Sequence, residues 1–363
     1  MKISTIGVPG IVMSNPESHH NYFGWPTAAR LQNGKIAVAA SAYRLRHVCP
    51  FGKMAVSYSE DDGETYTAPA PVIDTVLDDR DGGIVPFGKS GVIVTSFNNT
   101  VAFQRQHAQS AYDLAYLDSV MPEEESAALG ATFRISLDGG VTFGPIYKSP
   151  ITSPHGPAEL PDGSLLWVGR TFSSDDTHRA GIDRIEAHKV NLDGTMEFVS
   201  AIEKIEIDGK EALSCEPHAI VLPDGTILAH IRVQVGGEYI FTVFQSESKD
   251  GGKTWSKPRQ LLKNDGGSPP HLFIHSSGVL VCTYGFRGSP RGAAPFGIKA
   301  MLSTDNGRTW DVDHELWMTE TTADLGYPST VELRDGSLLT VFYAHPEENT
   351  PAVIMQQKWR IEL

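Results

Sequence analysis

Apolar residues in this chain fall into short unbroken blocks rather than onto a helical stripe. Gly91-Val-Ile-Val-Thr-Ser96, Ser164-Leu-Leu-Trp-Val-Gly169, Thr226-Ile-Leu-Ala-His-Ile231 and Ser337-Leu-Leu-Thr-Val-Phe-Tyr343 are strand-length runs rich in β-branched and aromatic residues. Each follows a turn built on glycine. Because the runs do not alternate with polar residues, they predict strands covered on both faces, as in sheets stacked on sheets.

The phrase before each run repeats. Trp25-Pro-Thr-Ala-Ala-Arg-Leu-Gln-Asn-Gly34, Gly82-Gly-Ile-Val-Pro-Phe-Gly-Lys-Ser-Gly91, His155-Gly-Pro-Ala-Glu-Leu-Pro-Asp-Gly163, Glu216-Pro-His-Ala-Ile-Val-Leu-Pro-Asp-Gly225, Pro269-Pro-His-Leu-Phe-Ile-His-Ser-Ser-Gly278 and Tyr327-Pro-Ser-Thr-Val-Glu-Leu-Arg-Asp-Gly336 are copies of one hairpin unit. Asn-Gly, Asp-Gly and Ser-Gly turns permit positive φ without a Cβ clash, so each phrase predicts a tight hairpin. Six phrases predict six units, and no composition break divides residues 1–363, which reads as one all-β domain. The last turn lies close to the C-terminus, so Ile3 to Val12 is expected to supply the missing strand and close a ring. The acidic stretch Tyr112 to Glu125 reads as a solvated loop.

A second phrase follows four of the hairpins: Ser59-Glu-Asp-Asp-Gly-Glu-Thr-Tyr66, Ser136-Leu-Asp-Gly-Gly-Val-Thr-Phe143, Ser248-Lys-Asp-Gly-Gly-Lys-Thr-Trp255 and Ser303-Thr-Asp-Asn-Gly-Arg-Thr-Trp310. Ser and Asp side chains can bond the turn backbone, glycine takes the unusual φ, and the aromatic packs between sheets. These phrases resemble the Asp-boxes of the sialidase superfamily. The resemblance implies a six-bladed β-propeller of four-stranded antiparallel sheets, and it gives Asp61, Asp138, Asp250 and Asp305 a structural role at outer turns.

The formal charge is −14, from 30 Lys and Arg against 44 Asp and Glu. That field disfavours a nucleic-acid backbone or an anionic membrane, so any anionic ligand requires a local cluster of arginine. Met1 to Ser14 lacks a cleavable leader pattern and reads as mature cytoplasmic sequence. Cys49, Cys215 and Cys282 have no disulfide or metal spacing, and no cofactor motif is present.

Positions equally far from a turn lie together at the far end of a hairpin. Nine residues before the six glycines stand Trp25, Gly82, Pro154, Glu216, Pro269 and Tyr327, beside Arg80, Asp81, His155, His218, His271 and Asp324. Seven to ten residues after them come Arg44, Asn98, Arg170, Arg232, Arg287 and His345. These residues predict one polar rim.

Resemblance to sialidases assigns roles within that rim. It implies Tyr327 as nucleophile, Glu216 as its polarising partner, and Arg232 with Arg287 or Arg291 as binders of a sugar carboxylate, with Arg44 matching a further arginine. Tyrosine needs a nearby base because its phenol is a poor nucleophile near neutrality, and arginine's planar fork suits a carboxylate. Two positions depart from the pattern. Gly24-Trp-Pro26 stands where the family carries Arg-Ile-Pro, and the acid/base aspartate is missing after Arg44, leaving His47 or Asp81 as candidate acids. Trp25, Arg80, His155, Arg170, His218 and His271 complete the expected substrate-binding set. The reading is therefore an exo-glycoside hydrolase acting on a terminal sialic or uronic-acid-like sugar of a carbohydrate substrate. A propeller polysaccharide lyase using His and Tyr, and a non-catalytic carbohydrate-binding propeller, are the alternatives.

Overall fold

The computed structural model describes residues 1–174, 183–235, 240–263, 266–289 and 292–362. Among the described residues six antiparallel blade sheets follow one another along the chain, each ordered from the inside outwards, with a small two-stranded sheet of Glu206–Ile207 and Lys210–Glu211 between blades 3 and 4. In blade 1 the order is Tyr22–Arg30, Ile36–Arg44, Lys53–Ser59 and Ala70–Ile73, and blades 2, 4 and 5 repeat it. Blade 3 differs only inside, where Ile151–Thr152 and Ala158–Glu159 share the innermost place.

Ring closure is as the repeat predicts. Gly326–Glu332, Leu338–Ala344 and Val353–Glu362 form the inner three strands of blade 6, and Lys2–Met13 pairs along Val353–Glu362 from Lys2↔Glu362 to Met13↔Ile354. The first and last strands of the chain thus share a sheet, which removes two edges at once. The second strands are buried along almost their whole length, as the apolar blocks require, because each is covered on both faces by neighbouring blades.

The four Asp-boxes occupy the turns between third and fourth strands. In each, the serine hydroxyl donates to the Asp Oδ1 at 2.7–2.8 Å and accepts the backbone N–H of the following glycine at 2.8–2.9 Å. The box aromatic then reaches back to the preceding blade: Tyr66 Oη donates to Gln356 at 2.6 Å, Trp255 Nε1 to Ser200 at 2.9 Å and Trp310 Nε1 to Gln245 at 2.9 Å. Phe143 packs against the core cluster that blades 1 and 2 share. The boxes therefore staple adjacent blades, and none of their residues lines the central pocket.

The stretch expected to be a solvated loop is instead helical, with helices Val101–Gln106, Ala111–Ser119 and Pro122–Ala128. Ser110 and Asp113 form a reciprocal capping box, a signal present in the sequence but hidden by the polar composition around it. This insertion braces the loop after the second strand of blade 1: Phe51 stacks on Tyr112 at 4.8 Å between centroids, and Arg46 is ion-paired with Asp113. Among the described residues no helix is long and apolar enough to cross a membrane.

Candidate active site

Four inner strands enter the axis through the same irregularity. The ladder register breaks between Gly24 and Thr27, Cys215 and His218, Gly267 and Pro270, and Gly326 and Ser329. At the breaks Trp25 (φ 53°), Glu216 (φ 47°) and Tyr327 (φ 51°) adopt left-handed backbone, as does Asp81 (φ 44°) in blade 2. Non-glycine residues in this region cost about 1–3 kcal/mol each, and such bulges re-aim side chains. Here they turn Trp25, Asp81, Glu216 and Tyr327, from four blades, inward to a common pocket.

Counting from Gly91 placed Gly82 at the rim of blade 2, but Asp81 holds that position. Asp81 lies six residues before Phe87, the last paired residue of its inner strand, whereas Trp25 lies five before Arg30, so blade 2 carries one extra residue there, at Gly82-Gly83.

The pocket, about 150 Å³, is lined by every proposed catalytic residue, Tyr327, Glu216, His47 and Asp81, and by Trp25, Arg80, Arg170, Arg232 and Arg287. Tyr327 Oη donates to Glu216 Oε1 at 2.6 Å, and Arg232 Nη1 donates to Glu216 Oε2 at 2.6 Å while lying 3.4 Å from the phenol oxygen. Burial, and then the charges of Glu216 and Asp81, push the Tyr327 phenol well above its ordinary pKa, with Arg232 and Arg287 opposing. The resting group is therefore the phenol, whose proton has one short path, to Glu216.

The arginines divide into paired and unpaired cations. Arg170 faces Asp183 at 3.1 Å. Arg80 lies over the Trp25 ring at 4.6 Å, and its Nε and Nη1 have no hydrogen-bond partner among the described residues. Arg287 donates to the Leu325 carbonyl at 3.2 Å, and its Nε is likewise unpartnered. Buried donors without partners, converging on one cavity, are what a carboxylate would satisfy.

Four expected substrate binders lie outside the pocket, and Arg291 lies outside the described residues. Arg44 is fully buried beneath Trp25, where it pairs with Asp78 through both guanidinium nitrogens and donates to the His47 carbonyl at 2.8 Å. Its side chain supports the turn that carries His47. His155, His218 and His271 sit lower on the axis with ring centroids 4.5–5.0 Å apart, and they line a separate cavity at the opposite mouth. The strand alternation that turns the bulge residues inward at the rim places these rings one layer deeper. Burial pushes His218 down to about 3 and lowers the other two, so the trio is neutral.

Asp324 was visible in the sequence only as a neighbour of Tyr327. In the structure it accepts Tyr22 Oη at 2.9 Å, Tyr343 Oη at 3.0 Å, His47 Nδ1 at 3.1 Å and His345 Nε2 at 3.1 Å. Burial raises its pKa, but the hydrogen bonds from His345, His47 and Tyr22 outweigh that and hold it far below the usual carboxylate range. Phe97, Thr152 and Ser153 complete the lining without any signal in the repeat.

Six blades around an arginine-rich axial pocket define a six-bladed β-propeller with a polar site on its axis. A family model for BNR repeat-like domains matches residues 96–338, about two thirds of the chain, and the chain belongs to that family. No curated protein sequence matches it significantly. Among solved structures, a protein of unknown function from Dyadobacter fermentans superposes with a TM-score of 0.74 at 20% identity, covering 99% of both chains. The intramolecular trans-sialidase of Ruminococcus gnavus gives 0.66 at 13% identity over 97% of both chains. The α-L-arabinanase of Penicillium chrysogenum gives 0.61 at 13% identity over 98% of both. At these identities the shared property is the fold.

Proposed function

We propose that the chain is an exo-acting glycoside hydrolase that removes a terminal acidic sugar, with Tyr327 as nucleophile and Glu216 as the base that takes its proton. The observation that carries the reading is the 2.6 Å hydrogen bond from Tyr327 to Glu216, itself fixed by Arg232 at 2.6 Å. A neutral tyrosine attacks beside an anionic sugar without the repulsion that a carboxylate nucleophile would meet. Arg80 and Arg287, which have no ion-pair partner among the described residues, and Arg232 form the clamp for the sugar carboxylate. The pocket of about 150 Å³ suits one terminal ring rather than a continuous chain. The trans-sialidase likeness agrees with an acidic sugar, and the missing blade 1 arginine argues for a carboxylate held from blade 2 instead.

The test compares the chain with Tyr327→Phe on nitrophenyl glycosides of sialic acid and glucuronic acid. Turnover should fall by on the order of 10³-fold or more while melting changes little, since one hydroxyl is removed. A fully active Phe variant would refute the nucleophile. Binding of acidic glycans with no turnover by the unmodified chain would support a lectin-like propeller, and absorbance from an unsaturated uronate product a lyase.

A further inference from the structure

His47 is a wall shared by two cavities. It lines the axial pocket, and it also lines a neighbouring cavity of about 540 Å³ bounded by Thr321, Thr322, Asp324, Glu347 and Asn349. Its Nδ1 faces Asp324 Oδ1 at 3.1 Å and Tyr22 Oη at 3.2 Å, which leaves Nε2 as the ring nitrogen without a hydrogen-bond partner among the described residues. Asp324 is held by four donors and cannot swing, so it fixes both the tautomer and the orientation of the imidazole. From outside, the helical insertion braces the same loop through Arg46 and Phe51.

A glycosidic oxygen undergoing cleavage lies between the sugar being removed and the group that leaves. Resting on the hydrolase reading above, we infer that the neighbouring cavity receives the leaving group and that His47, oriented by Asp324, delivers the proton to the oxygen at the boundary. Tyr327 Oη bonds to the anomeric carbon and its own proton passes to Glu216. The carbon–oxygen bond to the leaving group breaks with its electron pair on that oxygen, which takes the His47 Nε2 proton. Water then displaces Tyr327 from the sugar and returns a proton to His47, while Glu216 reprotonates the phenol.

The walls of this cavity indicate what leaves. Thr321, Thr322 and Asn349 offer neutral hydrogen-bonding groups, and Arg46 is already engaged by Asp113. Glu347 and Glu348 have no ion-pair partner among the described residues. Such a surface suits a neutral hydroxylated sugar and repels a second acidic one.

The charges around His47 set its pH range. Burial lowers its pKa below 6.5, Arg80 and Arg44 lower it further, and Asp324 opposes them; Trp25 and Tyr22 are neutral, and His345 faces Asp324 from the far side. The acid form is therefore lost as pH rises through a value below 6.5, and turnover that needs the proton falls with it.

His47→Gln should lose about 10²–10⁴-fold in kcat on methyl glycosides of sialic or glucuronic acid, which need a protonated leaving group. On the nitrophenyl glycosides, whose phenolate leaves unaided, the loss should stay within about tenfold. Asp324→Asn, a positioning change, should move the descending limb of the methyl-glycoside profile to lower pH with a larger effect on kcat than on KM. Equal loss on both substrate types, or full activity on the methyl glycosides, overturns the proton-donor role while leaving the Tyr327 reading standing. If the unmodified chain turns over neither nitrophenyl glycoside, the hydrolase reading itself fails and this one with it. For the leaving-group cavity, Glu347→Gln with Glu348→Gln should raise turnover of a disaccharide with an acidic reducing-end sugar relative to a neutral one. An unchanged ratio removes that assignment.

Discussion

Replacing Trp25 with arginine puts a third guanidinium against Arg44 and Arg80, and the structure predicts that the protein will not tolerate it. Trp25 is 1% exposed, and two guanidinium groups lie over its ring, Arg80 at 4.6 Å and Arg44 at 4.9 Å from the centroid. The indole face attracts both cations; a guanidinium in its space repels both. At an effective dielectric constant of about 20, unit charges at these separations repel by roughly 3.5 kcal/mol per pair. Asp78 offsets much of the Arg44 contribution, so the electrostatic cost lies between roughly 3.5 and 7 kcal/mol, against a total stability of about 5–15 kcal/mol for a folded domain. Urea unfolding of Trp25→Arg, with Trp25→Phe as a size-reduced neutral control, measures the effect, and nitrophenyl sialoside turnover is followed in parallel. The Phe variant should remain folded with a modest loss, whereas the Arg variant should be severely destabilised and gain no activity. An Arg variant that unfolds at the wild-type urea concentration, or that gains sialoside turnover, refutes the argument that the indole face of Trp25 is what lets Arg44 and Arg80 sit together.

Asp78→Ala strips the paired carboxylate from a fully buried Arg44 and should destabilise by about 3–5 kcal/mol, whereas Arg44→Met with Asp78→Leu should recover most of that; equilibrium unfolding of both variants decides, and a near-neutral single change contradicts it. The Asp-boxes predict an acid transition. Hydrogen bonds from Thr254, its backbone N–H and Ser248 hold Asp250 at about 2, below the ordinary 3.8 of an unfolded aspartate. A depressed pKa contributes stability that is present above the unfolded value and lost as pH falls through the folded one, so Asp250→Asn should be less stable than wild type at neutral pH, with the gap closing between about pH 4 and pH 2. A gap that persists unchanged at pH 2 would show that the carboxylate charge is not what the turn uses.

What the chain states locally was legible. Asn-Gly and Asp-Gly turns followed by apolar runs specify hairpins within about ten residues, and six of them with a short C-terminal remainder imply closure by the N-terminal strand. The Ser-x-Asp-x-Gly-x-Thr-aromatic phrase contains the donors and acceptors of its own turn, and only the partner of its aromatic, in the preceding blade, lay outside it. Even the rim was readable as a register, because Tyr327 and Glu216 are the same distance from equivalent turns. Local patterns failed where the deciding group is remote or the count slips. One extra residue in the inner strand of blade 2 moved the rim from Gly82 to Asp81. Arg44 looks like a ligand arginine until Asp78 appears against it, and His155, His218 and His271 share the register of the rim but lie one layer below it. The link from Asp324 to His47 spans 277 residues and exists only because blade 6 closes against blade 1. Backbone turns are decided by torsional and hydrogen-bonding chemistry among neighbours in sequence, whereas the charge state and exposure of each pocket group depend on which side chains five other blades bring within a few ångströms.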